Sequence, residues 1–121
     1  MPDLREHLTA VGQNQQVLRF LERSSEHCGW RVVVIFYIAV HLVEAYLARR
    51  PAPPNHTDKH TRRNKEMRLH FPAPIFQHYR YLKEKSEDAR YNCVPFTEGI
   101  VETQIKPSLR AVGGYIGPLL R

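Results

Sequence analysis

The chain has 121 residues, of which 42% are hydrophobic and 25% charged, and a net charge of +6. That composition suits one folded domain with its own core and excludes a disordered chain. Two cysteines, Cys28 and Cys93, are too few for a zinc framework or a disulfide scaffold. The polar N-terminus MPDLREHL carries no secretory signal, so both thiols are expected buried and free in a reducing cytoplasm.

Asp3 with Glu6 reads as a capping box opening a first helix over about 4–23, loosened at Gly12. Its apolar stripe is Leu4, Leu8, Val11, Val17, Leu18 and Leu21. Ser25 is the expected N-cap of a second helix over about 27–49. The body of that helix is WRVVVIFYIAVHLVEAYLA, Trp30 to Ala48, the longest apolar run in the chain. Its length would span a bilayer. His41 and Glu44 are costly in lipid, and the other segments are amphipathic, so it is read as the core helix of a soluble bundle with no membrane partner. Pro51, Pro53 and Pro54 end it.

Asn55 or Thr57 caps a third, strongly polar helix over about 57–69, which has only Met67 and Leu69 to bury. Pro74 suits the first turn of a fourth helix with the stripe Ile75, Phe76, Tyr79 and Leu82, ending near Lys85 to Asp88. Residues Asp88 to Asn92 then lead into a loop. Thr97 and Glu98 open the last helix, with Val101, Ile105, Leu109, Val112 and Ile116 on its inner face. Pro107 should kink it and Gly113-Gly114 weaken it. The expectation is an all-α single domain over 1–121, a four- or five-helix up-down bundle.

The charge is unevenly placed. Residues 1–48 sum to −1, residues 49–68 to +5 and residues 69–121 to +2. A concentrated positive patch fits a polyanion such as RNA, DNA or nucleotide phosphate, and it also fits a solvated helix face.

Seven histidines are present. His56 and His60 stand at i, i+4, a spacing that can place two imidazoles on one metal, and His41 or Glu44 could complete the set. The local sequence NHTDKH lacks the glutamate of a zinc-protease helix, so exposed histidines are preferred to metal and no cofactor is assigned. Tyr37, His41 and Glu44 recur at i, i+4 and i+7, on one face of the core helix. Glu44 can fix the tautomer of His41 or receive an arginine from the third helix, since a buried carboxylate needs a partner.

The run FYIAVHLVEAYLA, then HTDKHTRRNKEM, then YRYLKEKSEDARY resembles the HEPN domain (higher eukaryotes and prokaryotes nucleotide-binding) over about residues 27–92. Phe36, Tyr37, Ala39, His41 and Ala45 match the second-helix pattern, His60 the following histidine segment, and Ala89-Arg90-Tyr91 a later triplet without its acidic residue. The resemblance implies a helical bundle, a homodimer, and either metal-independent endoribonuclease activity of toxin–antitoxin type or simple binding of nucleotide or protein. Ribonuclease members use an Arg-x4-6-His pair across a dimer cleft. Arg63 and His70 fit it as catalytic residues, with Asn64 after the arginine; Arg49 and Arg50 precede His56 at similar spacing.

In this reading His41, His60, Arg62, Asn64 and Arg90 bind RNA or nucleotide phosphate, and Tyr37, Glu44 and Tyr91 support them. Arg90 contacts phosphate or pairs with Glu44. A second reading is a non-catalytic interaction module, antitoxin-like or partnering a nucleotidyltransferase. A third is a metal-binding bundle using His41, His56 and His60. The sharpest structural expectation is that His41 and Glu44 meet His60, Arg63 or Arg90.

Overall fold

The computed structural model describes residues 2–50 and 60–121, with side chains from 62 onward in the second stretch. These residues form five helices: α1 Leu4–Leu21, α2 Cys28–Arg49, α3 His60–His70, α4 Ala73–Tyr91, and α5. The last opens as Glu98–Ile100, passes through a π-helical turn at Val101–Ile105, and continues as Lys106–Leu119. Among the described residues there is no strand.

α2 is the central element because its sequence is apolar on nearly every side. Val32, Phe36, Ala39, Val43 and Leu47 are buried in the main core with Met67, Tyr79, Leu82, Ile105 and Ile116. Val34 and Ile38 bury on the other side against Val11 of α1. By length and composition α2 could cross a membrane, but 67% of its apolar window is buried inside the bundle.

Three contacts set the helix directions. The start of α2 meets the end of α4, where a Cβ on Gly29 would lie 3.9 Å from the Ala89 Cβ. Arg31 near the start of α2 meets Glu98 at the start of α5, and Arg49 Nη2 donates to the Arg121 carbonyl at 3.0 Å. So α4 runs antiparallel to α2, and α5 runs parallel to it. With α1 antiparallel as well, the bundle is up-down, and α3 is a short helix in the connection from α2 to α4.

Helix ends follow local chemistry. Asp3 and Glu6 form the reciprocal capping box, and Thr97 Oγ1 accepts from the Ile100 N–H at 3.2 Å. Arg50 is extended (φ −70°, ψ 141°), as a residue before proline must be.

Several boundaries differ from expectation. α2 is opened by His27 in the left-handed region (φ 64°) with no side-chain cap, not by Ser25. Ser24 instead closes a local turn, its Oγ accepting from the Glu26 N–H. α1 runs through Gly12 and α5 through Gly113-Gly114 without interruption. Proline lacks an N–H and its ring crowds the carbonyl four residues back, which for Pro107 is Thr103, inside the π turn. The expected kink is thus taken up as a π-bulge one turn earlier. α4 continues to Tyr91, placing Arg90 and Tyr91 on a helix instead of in a loop. Ion pairs Lys83–Glu87 and Lys85–Asp88 run along this last stretch. Cys28 is buried but Cys93 is exposed, and both thiols are free. The capping residues Asn55 and Thr57, and the three prolines at 51, 53 and 54, lie outside the described residues.

One charged side chain ties the top of the bundle together. Arg31 is only 2% exposed. Its Nη2 donates to the carbonyls of Leu21 and Ser24, at the end of α1, and to Glu98 Oε1 at 3.2 Å. It therefore satisfies carbonyls that a helix end leaves open. Arg31→Met should lower the unfolding free energy by about 2–3 kcal/mol, since hydrogen bonds to charged groups are the stronger class. Denaturant unfolding followed by circular dichroism measures this, and Glu98→Gln should cost much less because that carboxylate is half exposed.

Candidate functional site

The polar face of α2 meets a different helix at each of its three positions. Glu44 Oε1 accepts from Arg63 Nε of α3 at 2.7 Å. Arg63 Nη1 donates to the Tyr79 hydroxyl of α4 at 3.4 Å. The side chains of Arg63 and Glu44 are 8% and 2% exposed, so this is an ion pair inside the core. Burial opposes the Arg63 charge, but Tyr79 and Glu44 together hold the guanidinium above its usual range. Burial also raises the Tyr79 hydroxyl, against the opposing pull of Arg63. Arg63 is therefore charged at neutral pH and Tyr79 is a neutral acceptor.

Removing one partner of such a pair strands a buried charge, at a cost of about 3–5 kcal/mol. Glu44→Ala and Arg63→Ala should each destabilise by that order. The double replacement Glu44→Leu with Arg63→Met should recover most of the loss. A chemical-denaturation double-mutant cycle reads both effects.

His41 meets α1 instead of α3. Its Nδ1 lies 3.0 Å from the Nδ1 of His7, with ring centroids 5.3 Å apart. One ring must donate and the other accept, so the bond cannot survive protonation of both. Burial, then the Arg63 charge, lowers the His41 pKa below 6.5, and Glu44 only partly offsets this. The unfolded chain then binds the proton more readily than the folded one. Stability should be level above pH 6.5 and fall as pH drops from there toward the depressed folded value. Urea titrations at stepped pH should show that slope, and His41→Asn should flatten it.

Tyr37 is the third position. Its hydroxyl accepts from Arg90 Nη1 of α4 at 3.0 Å. The Arg90 guanidinium lies 5.7 Å from the Tyr37 ring centroid and 4.9 Å from that of Tyr91. Its Nε donates to the Ser86 carbonyl at 3.3 Å. Arg90 thus pairs with tyrosines, and the expected alternative of a pair with Glu44 gives way because Arg63 holds that carboxylate.

Arg63 and His70 share the inner side of α3 with the fully buried Met67, yet they meet different partners. His70 Nε2 accepts from Arg50 Nη1 and lies 3.3 Å from Glu66 Oε2. The outer side of α3 carries Arg62, Lys65, Arg68 and Leu69, all exposed. Asn64, Lys65, Arg68 and Leu69 line a shallow hollow of about 420 Å³. The Arg68 guanidinium also stacks over Phe76 at 5.2 Å. His60 begins α3, with its side chain outside the described set, and His56 lies wholly outside it. Among the described residues, no three His, Cys, Asp or Glu side chains converge as a metal site.

Sequence reasoning missed His7, Tyr79, Arg50 and Glu66. His7 falls in the α1 stripe one turn before Val11, so its burial was legible. Tyr79 was read as core alone, although a buried tyrosine hydroxyl needs a polar partner. Arg50 was legible only as a spacing match to His56 and Glu66 carried no signal of its own, since only the fold brings both to His70. Comparison with family models, with curated proteins and with solved structures gives no significant match.

Proposed function

We propose that this chain is a HEPN-like helical domain that binds RNA or nucleotide phosphate through the outer face of α3. The observation that carries the reading is the separation of roles on that helix. Arg63 and Met67 turn inward and anchor it. Arg62, Lys65 and Arg68 turn outward at i, i+3 and i+6, beside Asn64 and the hollow it helps to line. A ridge of cations at that spacing follows a phosphate backbone. A cytoplasmic homodimer belongs to the same reading.

In the ribonuclease form of this proposal His70 handles the proton of the ribose 2′-hydroxyl. It is partly exposed and sits between a cation and a carboxylate. Arg63 is committed to Glu44, so we assign the phosphate-stabilising cation to Arg50. Cleavage should then persist in EDTA and disappear in both His70→Ala and Arg50→Gln. Persistence in either variant would overturn this site.

Binding itself is tested separately. Replacing Arg62, Lys65 and Arg68 together by glutamine should weaken single-stranded RNA binding. It should also make the slope of log K against log salt shallower by about two units, at about 0.7 per lost phosphate contact. An unchanged slope would favour the interaction-module reading, in which the same ridge docks an acidic protein.

A further inference from the structure

A cavity of about 410 Å³ opens between the start of α2 and the end of α4. It lies away from the α3 ridge and does not depend on it. Gly29, Trp30 and Val33 of α2 and Ala89, Arg90 and Tyr91 of α4 line it. The floor exists because Gly29 and Ala89 let the two helices approach closely. Its volume falls in the range of small-ligand sites.

Three features of the lining point to one ligand chemistry. First, Trp30 and Tyr91 are 62% and 71% exposed. Two large aromatic rings left in solvent on one cavity are a poor use of apolar surface unless something flat covers them. Second, Arg90 is pre-positioned. Tyr37, the Ser86 carbonyl and Tyr91 hold its guanidinium, and among the described residues no carboxylate pairs with it. Third, the cavity borders the first turn of a 22-residue helix whose opening residue gives no side-chain cap. The positive end of that helix adds to the Arg90 charge. An aromatic surface beside a cation and a helix N-terminus suits a planar ring joined to an anion.

We infer that this cleft binds a purine nucleotide, its base stacked on Trp30 and Tyr91 and its phosphate held by Arg90. The nucleotide comes either free or as one unit of a single strand, and both present the same base and phosphate. Stacking on aromatic side chains is tolerant of base identity and strong for large rings. Arg90 contributes charge to the phosphate while remaining stacked on the tyrosines.

Trp30 is the chain's single tryptophan, so its fluorescence reports the cleft directly. Titration of AMP or a short oligoadenylate into the intact chain should quench Trp30 emission to saturation, and inorganic phosphate alone should not. Tyr91→Ala should weaken the response about tenfold or more, and Tyr91→Phe should preserve it. Arg90→Gln should weaken AMP but leave adenosine unchanged. The Arg62, Lys65 and Arg68 triple variant should keep its AMP response, which separates this cleft from the α3 ridge. Tighter quenching by AMP would identify a free nucleotide, and tighter quenching by the oligomer, kept in the triple variant, a strand. The inference is overturned if neither AMP nor oligoadenylate changes the emission. It also falls if quenching is undiminished in folded Tyr91→Ala and Arg90→Gln.

Discussion

The buried pair of Glu44 and Arg63 is the constraint from which the rest of the arrangement follows. α3 has little apolar surface to hold it, because Met67 is the one fully buried apolar side chain among its described residues. A helix so polar would not stay against a core for hydrophobic reasons alone. The carboxylate on α2 could not stay buried without a cation either. Each element supplies what the other lacks, and Tyr79 completes the set by giving the guanidinium a second acceptor. The pair fixes the rotation of α3, and that rotation decides which of its cations face water.

Much of this was legible in the residues and some was not. The core helix, the bundle class and the partner of Glu44 follow from local facts: an apolar run, proline stops, and the rule that a buried charge needs its opposite. The capping box and Thr97 were readable for the same reason. The errors lie where tertiary contact overrides local preference. α4 outlasts its expected end because its last turns pack on α2, with Ser86 buried and Ala89 against Gly29. α5 continues unbroken through Gly113-Gly114, with Val112 and Ile116 buried on either side. The exposure of Cys93 goes with its left-handed backbone just past the end of α4.

The polar face on α2 shows how far periodicity reaches. Spacing placed Tyr37, His41 and Glu44 together, and they do share a face. It could not say that each would meet a separate helix, because that depends on how α1, α3 and α4 converge over it. His41 was expected to look toward the basic helix. It touches His7 on α1, and Arg63 reaches it only through its field. The HEPN resemblance drew its histidine and arginine positions from the same segments, so it inherits the same limit. It can nominate residues, and only the packing says which are turned inward.

Arg63 and Arg90 make the functional consequence clear. Both lie on helices that pack beside α2, and both reach toward its polar face. Arg63 ends on a buried carboxylate, where its charge is neutralised and its role is to hold the fold. Arg90 ends on two tyrosine rings and a hydroxyl, where it is oriented without being neutralised. A guanidinium in the second situation keeps its attraction for an anion and loses little freedom when one arrives. The same logic separates the outward cations of α3 from the inward one. Counting basic residues would rank all of these alike. Asking what each cation already touches ranks Arg90, Lys65 and Arg68 ahead of Arg63 as groups with charge left to offer a ligand.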